Sequence, residues 1–339
     1  MQKNILFTYD YELFLGNKSG TVSNCLLTPT DKLLKIHNRF SVTAIFFVDT
    51  LYLWRLKNEF SDGIRTETEY SLIVAQLQRA LKAGHYIFPH IHAHWLDAEY
   101  QSETHEWDLS NTRYYRFSSL SEYEQNRVFQ ISIDIIKEIA EPILPNYLID
   151  SYRAGGWSIQ PFEHFKRQFS KYNFKYDFSV IPGKRLVTNA HVYDFLAAPT
   201  KGCYPFKDDV NIENSTGQFF EFSISSVFTS QFTRWCYFKI SGIKQRLGLN
   251  KAYGDGNVIE VNVKEDIDVI RNNRHRWVAS LEGLNIISFV IYFKQIFKQS
   301  YFQFISHPKI LTPLELMWLR ILFISLKVFK INTDFRKIV

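Results

Sequence analysis

The chain has 339 residues, 46% hydrophobic and 22% charged, with a formal net charge of +6. This balance allows a large buried core and excludes a globally disordered chain. The basic residues are spread along the sequence and form no basic tract, so nucleic-acid binding is not expected. The mild positive charge is compatible with an anionic glycan or with peripheral contact to an anionic membrane.

The three cysteines are widely separated, and an odd, sparse set argues against a disulfide framework. The N-terminal sequence is not typical of a signal peptide, because charge interrupts its short apolar stretch by Asp10. No uncharged apolar run reaches the roughly 18 residues of a spanning helix. These features predict a cytoplasmic protein without a transmembrane segment.

Strand and helix patterns alternate along the chain, which favours an α/β fold with parallel strands. The pattern predicts, in order, a strand at 4–9, a helix from 30 or 31 to 40, a strand at 42–48, a helix at 66–83, a strand at 86–92, a helix at 121–139, a strand at 147–152, a helix at 162–172 and a strand at 174–180. The pattern weakens after about residue 202.

A strand is predicted at 218–223, whereas 225–276 cannot be assigned. Order returns with a helix at 285–297, a strand at 301–306 and a helix from 313. We interpret the two helices as amphipathic and core-packed, with membrane-surface contact as the alternative. No internal repeat or linker occurs, so we predict one domain over 1–339 with an insertion at about 202–283.

Three histidines alternate in the segment that reads FPHIHAHW. His90 and His94 share one face in a helix because they are four apart, and in a strand because the side-chain period is two. Two imidazoles on one face are a common start for a Zn²⁺-type site. The alternative is a hydrogen-bonded polar cluster at the end of a strand.

Two acidic residues, Asp10 and Glu12, follow the first strand in the segment TYDYE. Their spacing of two places both carboxylates on one face. A hydrolytic metal site needs an acidic ligand and a separate carboxylate base, and this pair could supply both. The alternative is an exposed acidic strand end.

The candidate polar residues all fall at the same end of the predicted strands. Asp10, Glu12, His90 and His94 lie at or just past the ends of predicted strands, as do three further residues: Arg153, Asp177 and His307. In an α/β barrel, the carboxyl ends of the strands form the active site. No GxSxG, P-loop or GxGxxG motif is present, which disfavours serine-nucleophile and nucleotide-binding functions.

These motifs resemble, in order and content, those of the NodB-homology polysaccharide deacetylases, carbohydrate esterase family 4. The resemblance runs from Thr8 to about Pro308 through the segments TYDYE, TAIFFVDT, GHYIFPHIHAHW, SYRAGGW, KYDFSVIPG and FISHPK. It implies a distorted (β/α)7 barrel, a divalent metal ion such as Zn²⁺, and removal of acetyl groups from a sugar or a surface-glycan precursor.

The resemblance also implies a role for each matched residue. His90 and His94 would bind the metal, Asp10 would be the general base, and His307 the general acid. Arg153 would orient Asp10, and Asp177 would orient His307. Substrate contacts are expected from four residues of the same motifs: Tyr11 through its backbone N–H, His92, Trp95 and Trp157.

One position departs from the family pattern. The usual metal-binding aspartate directly follows the base, and here that residue is Tyr11. Glu12, on the same strand face as Asp10, is the expected substitute. If Glu12 points away, the chain is a weakly active or inactive glycan-binding protein on the same barrel. A hydrolase of non-sugar amides is the third alternative.

Overall fold

A computed structural model of the chain describes residues 3–16, 18–59, 64–111, 113–258, 262–268, 274–329 and 331–338. Its strands are β1 (Asn4–Tyr11), β2 (Ile45–Asp49), β3 (Tyr86–Ile91), β4 (Glu99–Gln101), β5 (Glu106–Asp108), β6 (Ser151–Ala154), β7 (Tyr176–Asp177), β8 (Lys184–Thr188), β9 (Val192–Asp194), β10 (Cys203–Phe206), β11 (Phe219–Phe222), β12 (Ser226–Ser230), β13 (Val263–Asp268), β14 (Arg274–Val278) and β15 (Tyr301–Ser306). Its α-helices are α1 (Thr28–Phe40), α2 (Thr50–Asn58), α3 (Ile64–Lys82), α4 (Glu122–Ala140), α5 (Glu163–Tyr172), α6 (Gln231–Arg246), α7 (Ile286–Lys298) and α8 (Pro313–Val328).

Seven strands pair in parallel in the order β15-β1-β2-β3-β6-β7-β11, and β10 joins the edge antiparallel to β11. Chain order is kept across this sheet, and the last strand lies beside the first. Parallel neighbours need long crossover connections, and each of these contains an α-helix except the one from β7 to β11, which contains β8, β9 and β10. The predicted alternation of strands and helices is therefore the alternation of a β/α barrel.

Hydrogen bonds bring the two edges of the parallel sheet together. After β11 the Ile224 amide donates to the Val180 carbonyl at 2.9 Å, and the next residue, Ser225, accepts from the Gln303 amide of β15 at 2.9 Å. The Ile305 amide donates to the Ala279 carbonyl at 3.0 Å. The sheet is thus a nearly closed barrel, and the predicted distorted seven-stranded α/β barrel is confirmed.

Side-chain alternation divides each barrel strand between two cores. The outward residues of β1, such as Phe7 and Tyr9, pack against the helices in the larger core. Inward residues form a smaller core inside the barrel, whose buried members are Leu6, Ile45, Phe47, Phe88, Phe178, Phe222, Tyr301 and Phe335. Inward positions nearer the carboxyl ends of the strands are polar, so this end of the barrel can hold catalytic or ligand-binding side chains.

Local capping defines where several helices begin. Ser121 and Glu124 form a capping box at the start of α4, and Thr312 and Glu315 form one at the start of α8. Each box satisfies amide groups that the first helical turn leaves without partners. Gly84 follows α3 with φ of +84°, a left-handed conformation that glycine adopts readily.

The stretch that the sequence left unassigned contains regular structure. Within 225–276, α6 is preceded by β12, which pairs with β14, while β13 pairs with β8. The short strands β4 and β5 pair separately. The 202–283 stretch also includes β10 and β11, which belong to the barrel sheet, so only part of it lies outside the barrel. Within the described residues, no helix combines the length and apolar character needed to cross a membrane.

Candidate active site

Three inward strand ends contribute polar side chains to one cavity of about 290 Å³. Asp10 and Glu12 come from β1 and the residue after it, His90 and His92 from β3 and the residue after it, and His307 from the residue after β15. The cavity lies at the carboxyl ends of the barrel strands, as expected for this architecture. Its volume is near the lower limit of about 300 Å³ for small-molecule pockets.

Asp10 is held by a buried arginine. Arg153 Nη1 donates to Asp10 Oδ1 at 2.6 Å, Nη2 donates to Thr8 Oγ1 at 2.8 Å, and Nε donates to the Phe178 carbonyl at 2.9 Å. Burial acts to raise the pKa of Asp10, but Arg153, followed by His90 and His307, outweighs it and lowers the pKa. Asp10 is therefore an ionised, oriented carboxylate at neutral pH.

Glu12, His90 and His92 form a buried cluster with three converging donor atoms. Glu12 Oε2 lies 2.7 Å from His92 Nε2 and 3.4 Å from His90 Nε2, and the two imidazole nitrogens are 2.9 Å apart. His90 Nδ1 lies 2.9 Å from the Arg153 carbonyl, which can only accept. The proton of a neutral His90 is therefore on Nδ1, and Nε2 keeps its lone pair for a ligand.

A lysine holds the other oxygen of the same carboxylate. Lys309 Nζ donates to Glu12 Oε1 at 2.8 Å and to the Leu13 carbonyl at 2.6 Å. Burial acts to raise the pKa of Glu12, but Lys309 and the two histidines outweigh it and hold the pKa well below its ordinary value. Lys309 therefore keeps Glu12 ionised and directs Oε2 towards the imidazoles.

The cluster fits a divalent cation by two tests. Glu12, His90 and His92 each offer one ligand atom, and these atoms lie within 4.8 Å of one another. Among the described residues, none directs a well-aligned donor at the buried Glu12 Oε2. In a tetrahedral site with metal–ligand distances near 2.0 Å, donor atoms are about 3.3 Å apart, so small side-chain rotations suffice here.

His307 faces both carboxylates and is oriented by a third. Its Nε2 lies 3.5 Å from Asp10 Oδ2 and 3.6 Å from Glu12 Oε1, while Nδ1 lies 2.7 Å from Glu282 Oε1. The His307 amide also donates to Glu282 Oε1 at 2.8 Å. Burial acts to lower the pKa of His307, but Glu282, then Asp10 and Glu12, outweigh it and raise the pKa, which favours the imidazolium.

The structure places His94 outside the cluster and His92 inside it. β3 ends at Ile91, and a 3₁₀ turn begins at Ala93, so the strand period does not continue to residue 94. The His94 ring stacks on Tyr115 at 4.5 Å, and burial holds its pKa well below the ordinary value. The predicted pair of His90 and His94 is therefore replaced in the geometry by His90 and His92.

Asp177 does not contact His307 in the structure. Its Oδ1 accepts from Ser179 Oγ at 2.7 Å, and it lies beside Glu221, its register partner on β11. Phe178 points into the barrel core, so the neighbouring Asp177 side chain points to the other face. The position predicted for Asp177 beside His307 is taken by Glu282.

Of the four residues expected to contact substrate, two line the cavity and two have side chains in the core. Trp157 lines the cavity together with His92. The Tyr11 side chain lies on the opposite face of β1, where its hydroxyl donates to Gln76 Oε1 at 2.9 Å. Trp95 is completely buried and donates to Asp49 Oδ2 at 2.6 Å, so its ring lies in the core away from the cavity.

Three site residues were missed by the sequence analysis. Lys309 carries a detectable signal, because it follows His307 at the same spacing of two that joins Asp10 to Glu12. Glu282 lies in the unmatched 202–283 stretch, where no pattern marks it. His191 lines the cavity from the loop between β8 and β9, and burial lowers its pKa to about 4.

The sequence matches no protein-family model and no curated protein. Among solved structures, a protein assigned as a polysaccharide deacetylase from Mycobacterium smegmatis matches 96% of this chain and 84% of its own, at 13% identity and a TM-score of 0.49. A family 4 carbohydrate esterase from Streptomyces lividans in complex with acetate matches 52% of this chain and 62% of its own, at 10% identity and a TM-score of 0.31.

A family 4 acetyl xylan esterase from Clostridium thermocellum in complex with a cobalt ion matches 53% of this chain and 60% of its own, at 13% identity and a TM-score of 0.30. The chain thus spans about three fifths of the two esterases. At these scores the likeness is too coarse to transfer any residue role, and the site above rests on this chain's own geometry. The three solved structures described above are thus a protein assigned as a polysaccharide deacetylase and two family 4 carbohydrate esterases.

Proposed function

We propose that the chain is a divalent-metal-dependent deacetylase that removes acetyl groups from a sugar or a surface-glycan precursor in the cytoplasm. The observation that carries this proposal is the convergence of Asp10, the Glu12–His90–His92 cluster and His307 in one cavity. A hydrolytic site needs a cation ligand set, a base and an acid, and these residues supply each of the three.

Asp10 is the general base of this proposal. Its Oδ1 is occupied by Arg153, so Oδ2 is the oxygen that can accept a proton from a water molecule in the cavity. Arg153 is a positioning residue, because each of its three guanidinium nitrogens donates to a protein group and its side chain does not line the cavity. A positioned base typically contributes about 10²–10⁴-fold to the rate.

His307 is the general acid. Its raised pKa favours the imidazolium, which carries a proton on Nε2, and the Glu282 carboxylate fixes the ring through Nδ1. This proton can pass to the nitrogen or oxygen of the sugar as the bond to the acetyl group breaks. The geometry does not distinguish an amide from an ester, since either leaving atom needs one proton.

Glu12, His90 and His92 would hold the cation, which is Zn²⁺ or a similar divalent ion. When bound, such an ion lowers the pKa of water and polarises a carbonyl oxygen. Trp157, His191 and Leu186 also line the cavity and suit the apolar face of a sugar ring. The absence of a disulfide among the described cysteines accords with a reducing compartment.

The test is metal analysis of the purified wild type beside Glu12→Ala, His90→Ala and His92→Ala, with His94→Ala as the matched control. We expect one equivalent of divalent metal in the wild type and in His94→Ala. The three cluster variants should bind the metal at least about 100-fold more weakly, more than the 10–100-fold cost of losing an outer partner. Retention of metal by His92→Ala and its loss from His94→Ala would contradict the assigned ligands.

Acetate release from acetylated oligosaccharides, both N-acetylated and O-acetylated, tests the reaction. Asp10→Asn and His307→Ala should each lower kcat by about 10²–10⁴-fold while metal content stays at one equivalent. A wild-type protein that binds a glycan without releasing acetate would instead identify the inactive glycan-binding alternative. Release from non-sugar amides alone would favour the third alternative.

A further inference from the structure

Helix α6 presents an aromatic and basic face to the outside of the barrel. Phe232, Trp235 and Phe238 are 72%, 56% and 59% exposed. The Lys239 ammonium lies 5.5 Å from the centre of the Trp235 ring, and the Arg234 guanidinium lies 6.0 Å from the centre of the Phe238 ring. Exposed aromatic rings interleaved with cations are typical of helices that lie in a membrane interface.

The two following helices extend this face. α7 contacts both α6 and α8, and Val290 on α7 and Ile324 on α8 are 53% and 54% exposed. The Phe297 and Phe329 rings lie 4.6 Å apart near the carboxyl ends of α7 and α8. With each such side chain exposing on the order of 100 Å², the three helices together expose several hundred Å² of apolar side-chain surface, the scale at which surface patches are often interaction sites. We call the outward surfaces of α6, α7 and α8 the docking face.

The charge of the docking face has a single sign. Residues 231–254 and 286–298 contain no Asp or Glu, whereas both segments carry exposed lysines, among them Lys239, Lys294 and Lys298. The acidic residue of α8, Glu315, is buried and accepts from the Gly283 and Thr312 amides. An occupant of this face must therefore tolerate apolar contact and carry negative charge.

We propose that the docking face binds the surface of a membrane that contains anionic lipids. Burial of the aromatic side chains at the acyl boundary and attraction of the lysines to the headgroups would both favour this position. A second copy of the chain fits less well, since a two-fold interface would bring the same positive surface into contact with itself.

The docking face lies one loop away from the candidate active site. Tyr237 on the inner side of α6 packs so closely on Gly283 that a Cβ there would clash with its hydroxyl, and Lys244 Nζ donates to the Leu284 carbonyl at 3.3 Å. The neighbouring residue is Glu282, which orients His307. A docked chain would therefore hold its cavity close to the headgroup layer.

The proposal is tested with the full chain and two kinds of vesicle, phosphatidylcholine alone and phosphatidylcholine with about a third phosphatidylglycerol. We expect the wild type to float with the anionic vesicles and not with the zwitterionic ones. Trp235→Glu combined with Phe238→Glu should weaken this binding at least tenfold, and Lys239→Gln about fivefold. Tyr123→Glu, which alters a 76% exposed aromatic residue on α4, is the matched control and should bind as the wild type does.

Two further measurements distinguish an anionic membrane from a second copy of the chain as the occupant of the docking face. Trp235→Phe should keep vesicle binding and lose part of the tryptophan quenching by brominated lipid, because one ring at the interface is removed. Failure of the wild type to bind anionic vesicles would overturn the proposal. A second result would also overturn it: the wild type is a dimer in sedimentation velocity, the Trp235→Glu, Phe238→Glu double variant is a monomer, and neither protein binds the vesicles. Vesicle binding requires no catalysis, so its result is independent of the acetate assay.

Discussion

At the scale of single residues, identity and spacing predicted which side chains reach the cavity better than which side chains contact one another there. His90, Asp10 and His307 converge on one cavity and Arg153 contacts Asp10, whereas the histidine that joins Glu12 and His90 is His92 and the partner of His307 is Glu282. The spacing of residues 90 and 94 predicts one shared face only if the backbone stays regular between them. The 3₁₀ turn at Ala93 breaks that condition.

Glu282 provides a prediction at this scale. Glu282→Gln should lower kcat by about 10²-fold or more with little change in KM, because the ring of His307 loses its orientation and its preference for the charged form. Steady-state kinetics on the preferred acetylated substrate measure the changes in kcat and KM separately. Asp177→Asn is the matched control, since Asp177 contacts Ser179 and not His307. An equal loss of kcat in both variants would show that Glu282 has no special role.

At the scale of elements, the strand period explains most of the site. In β1 the inward residues Thr8 and Asp10, with Glu12 just after the strand, face the barrel interior, while Tyr9 and Tyr11 face the helices. The departure from the family pattern at Tyr11 therefore does not remove a carboxylate from the cavity, because Glu12 supplies one. It places an aromatic residue on the packed face and leaves the carboxylate to the next inward position.

Restoring an aspartate at position 11 tests this assignment. Tyr11→Asp should lower the free energy of unfolding by about 3 kcal/mol or more, because it buries a carboxylate on the packed face, and it should not strengthen metal binding. Tyr11→Phe, which loses only the hydrogen bond to Gln76, should cost about 1 kcal/mol. Urea denaturation and metal titration measure both quantities. Tighter metal binding in Tyr11→Asp would contradict the outward direction of this side chain.

The contact of α1 with β1 predicts a pH dependence of stability. Buried His37 donates through Nδ1 to the Val42 carbonyl at 2.9 Å and accepts through Nε2 from the Tyr9 hydroxyl at 2.7 Å. Burial, aided by His85, lowers the pKa of His37 from 6.5 to about 3. Between these two values the unfolded chain binds the extra proton, so the stabilisation is complete above about pH 6.5 and falls as the pH decreases.

The free energy of unfolding should therefore be about 2 kcal/mol lower at pH 5 than at pH 7 on account of His37. Urea denaturation at both pH values measures this difference. His37→Gln should be less stable at pH 7 and should show a smaller loss on acidification, with His85 accounting for part of the remaining slope. Parallel pH profiles for the two proteins would exclude His37 as a cause.

At the scale of the whole molecule, the C-terminal segment fills the barrel. The Phe335 ring is fully buried and contacts the rings of Phe88, Tyr176, Phe178 and Phe222, which come from three barrel strands or the residue after one of them. It closes the end of the inner core away from the candidate active site. The last residues of the chain therefore stabilise a sheet whose first strand is more than 300 residues earlier.

Phe335→Ala should lower the free energy of unfolding by about 3–5 kcal/mol, because it leaves a cavity between strands that cannot readily collapse. Phe335→Leu, which keeps most of the volume, should cost less than about 1.5 kcal/mol. Urea denaturation followed by circular dichroism measures both values. Equal and small losses in the two variants would show that the segment does not support the barrel.

The sequence by itself determined the alternation of strands and helices and the residue types at the strand ends, because both follow from local period and position. The barrel class came from the resemblance of its motifs to a known family. The tertiary structure decided which side chains meet. Only folding brings Lys309 to Glu12 and Glu282 to His307, across separations that no local pattern reports. It also decided that His92, and not His94, lies beside Glu12, because where a strand stops depends on the packing around it. Only the tertiary structure shows that apolar side chains on the outer surfaces of α6, α7 and α8, such as Phe232, Val290 and Ile324, remain exposed.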